Sequence, residues 1–274
     1  MRRQVSRAVR SSTVRIGGHL NGFRALPAGK GKHPAVILLH ERYGVVRHTR
    51  DLILRLAQAG YVGVAPDLFS RFTGDRKALV RGDTRVELRD DEVIKDLGKV
   101  VHYLKKLDTV EASRIGIVGV CQTGRHSLLL AAHREDIATC ALFYGAVGRK
   151  EWSTDERKPE SIESLVERLA CPLLGVFGES DHIISLDHIL KFRSCLEQNK
   201  KSYHIRLYRD APHGWLNDTM PGRYREIAAR DAWRLLLSFL RKTFTKRWDK
   251  SRVLWTFESD VSPSYDFDKN IRLE

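Results

Sequence analysis

The sequence predicts an α/β protein: a mostly parallel central sheet with helices on both faces. Apolar, β-branched runs of strand length alternate along the chain with segments whose apolar residues recur at helical spacing. The strand runs are nearly continuous in apolar residues, as strands covered on both faces must be. A length of 274 residues with 42% hydrophobic content is enough to bury one sizeable core. One principal domain is the default.

In order, the strand-like STVRI (12–16) comes first, then AVILLH (35–40), the helical DLILRLAQAG (51–60) and YVGVAPDL (61–68). SRFTGDRKALVRGDTRVELRDD (70–91) is the most polar long connection; it follows a strand end, and it either borders the pocket or is a solvated loop and helix. Then helical VIKDLGKVVHYLKKL (93–107), HSLLLAAHRE (126–135), ESLVERLA (163–170), DHILKFRSCLEQ (187–198) and DAWRLLLSFLRKTF (231–244) alternate with the strand runs RIGIVGV (114–120), CALFYGAV (140–147), PLLGVFGE (172–179) and YHIRLYRD (203–210). The expected organisation is a basic N-terminal arm (1–11), an α/β domain (12–245) and a C-terminal extension (246–274). In the extension Trp248, Trp255, Phe257, Tyr265 and Phe267 are spaced among charges. Disordered tails are poor in aromatics, so it packs either on its own domain or on a second subunit as a homodimer.

The net charge of +14 raises a nucleic-acid reading, but residues 1–40 carry eight Lys/Arg and no acid, and residues 241–274 carry eight against six. The 200 residues between hold 32 basic against 28 acidic residues. The excess is chiefly an N-terminal feature, no aromatic-plus-basic RNA motif or zinc finger accompanies it, and nucleic acid is not the expected partner. No apolar run approaches the roughly 20 residues that cross a bilayer, and MRRQVSRAVRSS has no apolar stretch behind it. A cytoplasmic protein without a membrane partner is expected. The cysteines Cys121, Cys140, Cys171 and Cys195 are widely spaced, with no CxxC pair and no Cys/His cluster suited to zinc. Reduced thiols fit, and Cys140, Cys171 and Cys195 read as small buried hydrophobes.

In such a sheet the chemistry lies just beyond the carboxyl ends of the strands, where Glu41, Cys121, Asp181 and His213 stand. Gly119-Val120-Cys121-Gln122-Thr123-Gly124 has a strand before it and a helix after it, the context of a nucleophile elbow allied to G-x-S-x-G. Backbone N–H groups at the helix start favour a thiolate and stabilise an oxyanion. Gln122 is one expected backbone donor, and Arg42, after the first long strand, the second. VFGESDH places Asp181, and YRDAPHGW places His213, each past a strand end, so the chain order is nucleophile, acid, histidine. Each signal alone would read as packing, a helix cap or a surface histidine; together they point to nucleophilic catalysis. Glu41, from the residues alone, reads as a structural acid paired to Arg42 or Arg47.

The set LLHERYGV, GYVGVAPDLFSR, GVCQTG, FGESD and HGW resembles the dienelactone hydrolase (carboxymethylenebutenolidase) family over roughly residues 12–242. The resemblance implies an α/β-hydrolase fold, hydrolysis of a small ester or lactone through a cysteine acyl-enzyme, and no metal or other cofactor. It puts the nucleophile, acid and histidine on Cys121, Asp181 and His213. It also makes Glu41 catalytic, as the acid that takes the thiol proton when substrate binds. The chain departs from the pattern at Thr123 and Arg125, and at Asn217, where the family has a carboxylate-binding arginine. Arg81, Arg85 and Arg223 are the candidate compensating cations. The rival readings are a general carboxylesterase or thioesterase, or a non-catalytic scaffold with a basic arm.

Overall fold

The structure, a computed structural model, describes residues 9–245, 249 and 251–273. Most of the basic arm and Trp248 lie outside those residues.

Among the described residues the expected alternation is realised as a nine-stranded sheet in the order β1-β2-β4-β3-β5-β6-β7-β8-β9. Its strands are β1 Arg10–Gly17, β2 Leu20–Leu26, β3 His33–Leu38, β4 Val62–Pro66, β5 Val110–Val120, β6 Thr139–Phe143, β7 Leu173–Ser180, β8 Tyr203–Pro212 and β9 Trp255–Ser259. β1, β2 and β4 pair antiparallel, and every pair from β4 to β9 is parallel. The helices are α1 Arg47–Gln58, α2 Arg76–Arg81, α3 Asp90–Lys105, α4 Gly124–His133, α5 Ile162–Arg168, α6 Leu186–Gln198 and α7 Glu226–Thr243.

Side chains that alternate along one strand build two cores. Ala35, Ile37, Ile115 and Ile117 face α3, α4, α5 and α6, while Val36, Leu38, Val118 and Val120 face α1 and α7. Burying both faces is why the runs read as continuously apolar. Polar signals set the helix ends. Asp90, Asp91 and Glu92 lie in the first turn of α3 and His102 and Lys105 in its last, each complementing the helix dipole. The Ser185 hydroxyl caps α6 by accepting from His188 N.

Two strands escaped the sequence reading. β2 lies on the antiparallel flank, where exposed Asn21 and half-buried Phe23 and Arg24 interrupt buried Leu20, Gly22 and Ala25, so it lacks the apolar run of its neighbours. β9 comes from the extension, which packs on its own domain as a ninth, parallel strand beside β8. Residues 70–91 do border the β3 and β5 ends: Gln122 Nε2 donates to Val86 O at 2.7 Å, and the Arg42 guanidinium donates to Gly82 O. Among the described residues no helix is long and apolar enough to cross a membrane.

Candidate active site

Five neighbouring parallel strands, β3, β5, β6, β7 and β8, release their chains at one edge of the sheet, and there Glu41, Cys121, Tyr144, Asp181 and His213 converge. Cys121 begins a one-turn 3-10 helix, Cys121–Thr123, that runs into α4. Its φ of 55° is left-handed, a conformation that costs a non-glycine residue energy and persists only where surroundings enforce it. The surroundings here are close-packed. A methyl group on Gly119 would lie 2.6 Å from Thr123 O, and one on Gly124 would lie 2.8 Å from Gly145 Cα, so both glycines are needed for the turn to close. Thr123, fully buried, donates its hydroxyl to His40 O at 2.9 Å and ties the elbow to the end of β3.

Cys121 Sγ stands 3.1 Å from His213 Nε2, and His213 Nδ1 stands 2.8 Å from Asp181 Oδ2. Asp181 is 1% exposed. Its other oxygen accepts from the backbone N–H of Ile183 (2.7 Å) and Ile184 (3.1 Å), which fixes the carboxylate's direction. It is not the α6 cap, a position Ser185 fills. Burial disfavours a charged His213, yet the Asp181 carboxylate, the charge at Cys121 and hydrogen bonds to both outweigh it and hold the imidazole pKa well above its ordinary value. An imidazolium hydrogen-bonded to Asp181 is the state this geometry favours for His213. All four cysteines are unbridged, and burial pushes Cys140 up to about 12 and Cys195 upward.

Glu41 corrects the ion-pair expectation. It is buried, and its carboxylate accepts from the Tyr144 hydroxyl at 3.0 Å and from Asn217 Nδ2 at 2.6 Å. Arg42 turns instead to Gly82 O and Tyr43, and Arg47 to Asp51. Burial and the Glu41 charge push the Tyr144 pKa well up, so it stays a donor. Sequence reasoning passed over Tyr144; its place directly after a buried strand, in CALFYG, was the available signal. Its φ of 37° is also left-handed, and its ring meets His213 edge-on at 5.3 Å.

The candidate substrate contacts separate. Asn217 is 1% exposed and fully engaged: while Nδ2 holds Glu41, Oδ1 accepts from Thr219 N (3.0 Å) and Thr219 Oγ1 (2.6 Å). It holds the Glu41 carboxylate. Arg81 and Arg85 are exposed and paired with Asp83 and Glu87. Arg223 is buried and donates to Leu273 O. Arg125 is 2% exposed, and its Nε donates to both oxygens of Asp90, at 3.1 and 3.2 Å. Gln122 lies in the 3-10 turn and Arg42 in the loop after β3. A cavity of about 180 Å³ bounded by Phe23, Tyr43, Val45, Arg50 and Asp67 includes none of Glu41, Cys121, Asp181 and His213.

The model of the dienelactone hydrolase family matches residues 20–244. The chain belongs to the dienelactone hydrolase family. It is thus a hydrolase of the α/β-hydrolase superfamily. A Bradyrhizobium protein named "Probable 2-oxo-3-(5-oxofuran-2-ylidene)propanoate lactonase" is 33% identical over 80% of this chain and 88% of its own length. A Methylorubrum extorquens protein named "Putative carboxymethylenebutenolidase" is 29% identical over 82% of this chain and 77% of its own. The crystal structure of a Klebsiella pneumoniae protein named "Putative Dienelactone Hydrolase" superposes with a TM-score of 0.74 at 27% identity, over 86% of this chain and 99% of that one.

Proposed function

We propose that the protein hydrolyses a small ester or lactone through a thioester on Cys121. The observation that carries this is the unbroken line Cys121 Sγ–His213 Nε2 (3.1 Å) and His213 Nδ1–Asp181 Oδ2 (2.8 Å) beside a strained strand-to-helix turn. The Cys121 thiolate attacks the substrate carbonyl, and the backbone N–H groups of Gln122 and Arg42 receive the oxyanion. The C–O bond breaks, the leaving oxygen takes the proton from His213, and Cys121 keeps the acyl group. Water then gives its proton to His213 and its oxygen attacks the thioester; the C–S bond breaks, and the carboxylic acid leaves with the Cys121 thiolate and the His213 imidazolium restored.

Glu41, in this reading, accepts the thiol proton as substrate enters, leaving the hydrogen bonds of Tyr144 or Asn217 to do so. A thiolate is a better leaving group than an amine, so the tetrahedral adduct moves forward most readily when the substrate departs as an enolate or other stabilised alkoxide. Activated esters and enol lactones are therefore favoured over amides, in accord with the lactonase and butenolidase names of the relatives.

The test is turnover of p-nitrophenyl acetate and of a panel of lactones by wild type and Cys121→Ala. Wild-type turnover that falls by several orders of magnitude in the variant is expected, because a triad loses most of its function with any central member. Equal rates in the two proteins would refute the assignment.

A further inference from the structure

The family match ends at residue 244, yet the chain beyond it is tied to both loops that carry Asp181 and His213. After β9, Asp260 pairs with Arg206 at 2.5 Å, and Ser262 N donates to Glu179 Oε1 at 2.7 Å. The Tyr265 hydroxyl accepts from Leu186 N at 3.2 Å, at the start of α6. Asn270 Nδ2 donates to two carbonyls of one turn, Glu179 O at 2.8 Å and Asp181 O at 3.2 Å. Leu273 O accepts from Arg223 Nε, and Arg223 lies against the residue after His213, since a methyl on Gly214 would be 3.4 Å from its Cδ.

We propose that residues 260–273 are a positioning strap for the Asp181 turn, with Asn270 holding its strand end and Tyr265 its helix end so that the carboxylate stays aimed at His213. The inference rests on the reading of Cys121, His213 and Asp181 as a triad. Asp181 acts through direction, and that direction comes from the Ile183 and Ile184 amides, which lie inside the turn from Glu179 to Leu186. A short turn is only as fixed as its two ends, and the strap bonds to both. Glu179 links the strap to the histidine side as well: it is 6% exposed, and its second oxygen accepts from Asp210 N at 3.1 Å. Asp210 is itself left-handed, at φ 54°, where the chain leaves the regular β8 ladder for His213. A buried carboxylate that accepts from the strap and from this bend fixes the two triad loops relative to each other.

The experiment uses the full-length protein with Asn270→Ala, Tyr265→Phe and, as a control on β9 away from the turn, Trp255→Ala, which removes the Trp255 Nε1–Lys201 O bond. Tm, kcat and KM for p-nitrophenyl acetate and the alkaline limb of the pH–rate profile are measured on each. That limb reports deprotonation of the imidazolium, which Asp181 sustains. Asn270→Ala is expected to lower kcat roughly 10- to 100-fold, the size that a misplacement of about 1 Å produces, with KM within about twofold and the alkaline limb displaced to lower pH. Tyr265→Phe moves both in the same direction by less, and Trp255→Ala lowers Tm alone. If Asn270→Ala does not fold, Tyr265→Phe, which loses a single hydroxyl, decides. Variants with lowered Tm but wild-type kcat and a superimposable alkaline limb overturn the strap while leaving the triad standing. A wild type with no limb above the ordinary histidine range overturns both.

Discussion

Replacing Glu41 by glutamine separates chemistry from architecture at one buried carboxylate. In the folded protein Tyr144 O–H and Asn217 Nδ2 both donate to Glu41, at 3.0 and 2.6 Å. A glutamine can accept from Tyr144, but its own amide then faces the Asn217 amide, donor to donor, and Asn217 cannot flip without releasing Thr219 N and Oγ1. The loss is one buried, charge-assisted hydrogen bond, about 1.5–3 kcal/mol. At about 2–4 °C per kcal/mol for a chain near this length, Tm should fall by roughly 3–12 °C. If Glu41 also moves the thiol proton, kcat should fall about 10²- to 10⁴-fold, beyond what a folded, slightly loosened site would lose. Adding Asn217→Asp to Glu41→Gln returns a carboxylate that can accept from the introduced side-chain amide and from Thr219, and should recover part of the Tm without recovering kcat. Thermal melts and steady-state kinetics on the single and double variants provide the assay. A Glu41→Gln protein of lowered Tm and near-normal kcat would refute the proton-transfer role and leave Glu41 as a structural acid.

Iodoacetamide should label Cys121 first and abolish turnover in step, because burial holds the Cys140 thiol at about 12 and raises Cys195; peptide mapping that finds another cysteine modified as activity disappears would contradict this. His126 is buried, its ring nitrogens have no hydrogen-bond partner among the described residues, and although Asp90 Oδ1 lies 3.7 Å from Nε2, burial together with Arg125, His40 and Lys158 lowers its pKa from 6.5 to about 3. Below pH 6.5 the unfolded chain therefore binds a proton that the folded chain refuses, so stability falls with pH by up to about 1.4 kcal/mol per unit, near 3 kcal/mol by about pH 4.5. His126→Leu should lose that slope in urea melts run from pH 7 to 4.5, and an unchanged slope would refute the assignment. With Asn217 committed to Glu41 and Arg81 and Arg85 in exposed ion pairs, kcat/KM should differ by less than about tenfold between a carboxylate-bearing lactone and its neutral analogue. A preference of a hundredfold or more at fixed ionic strength would show that a cation had been overlooked.

The fold was readable because the parallel strands are buried on both faces and leave unbroken apolar runs such as AVILLH and RIGIVGV. β2 was not, since Asn21, Gly22 and Arg24 break its apolar run, and neither was β9, which is held by the β8 edge more than by its own pattern. The gathering of Cys121, Asp181 and His213 could be expected because each follows a strand end and turn chemistry marks the place. The partners of Glu41 could not. Tyr144 is 103 residues and Asn217 176 residues away in sequence, and only the order of strands brings them together, so local reasoning turned to the nearest arginines. The partners of Asn217 and Arg125 were hidden for a similar reason: each side chain bonds a buried carboxylate on a distant element.

Everything in the proposed chemistry depends on Cys121 itself carrying the acyl group. Rapid acid quench of the wild type with p-nitrophenyl acetate, followed by intact-mass and peptide mass spectrometry, reads this directly. An acetyl group on the Cys121 peptide, formed within the burst of p-nitrophenol and lost at the steady-state rate, is the expected result. Turnover with the acetyl group on another residue, or with Cys121 unmodified throughout, would contradict it.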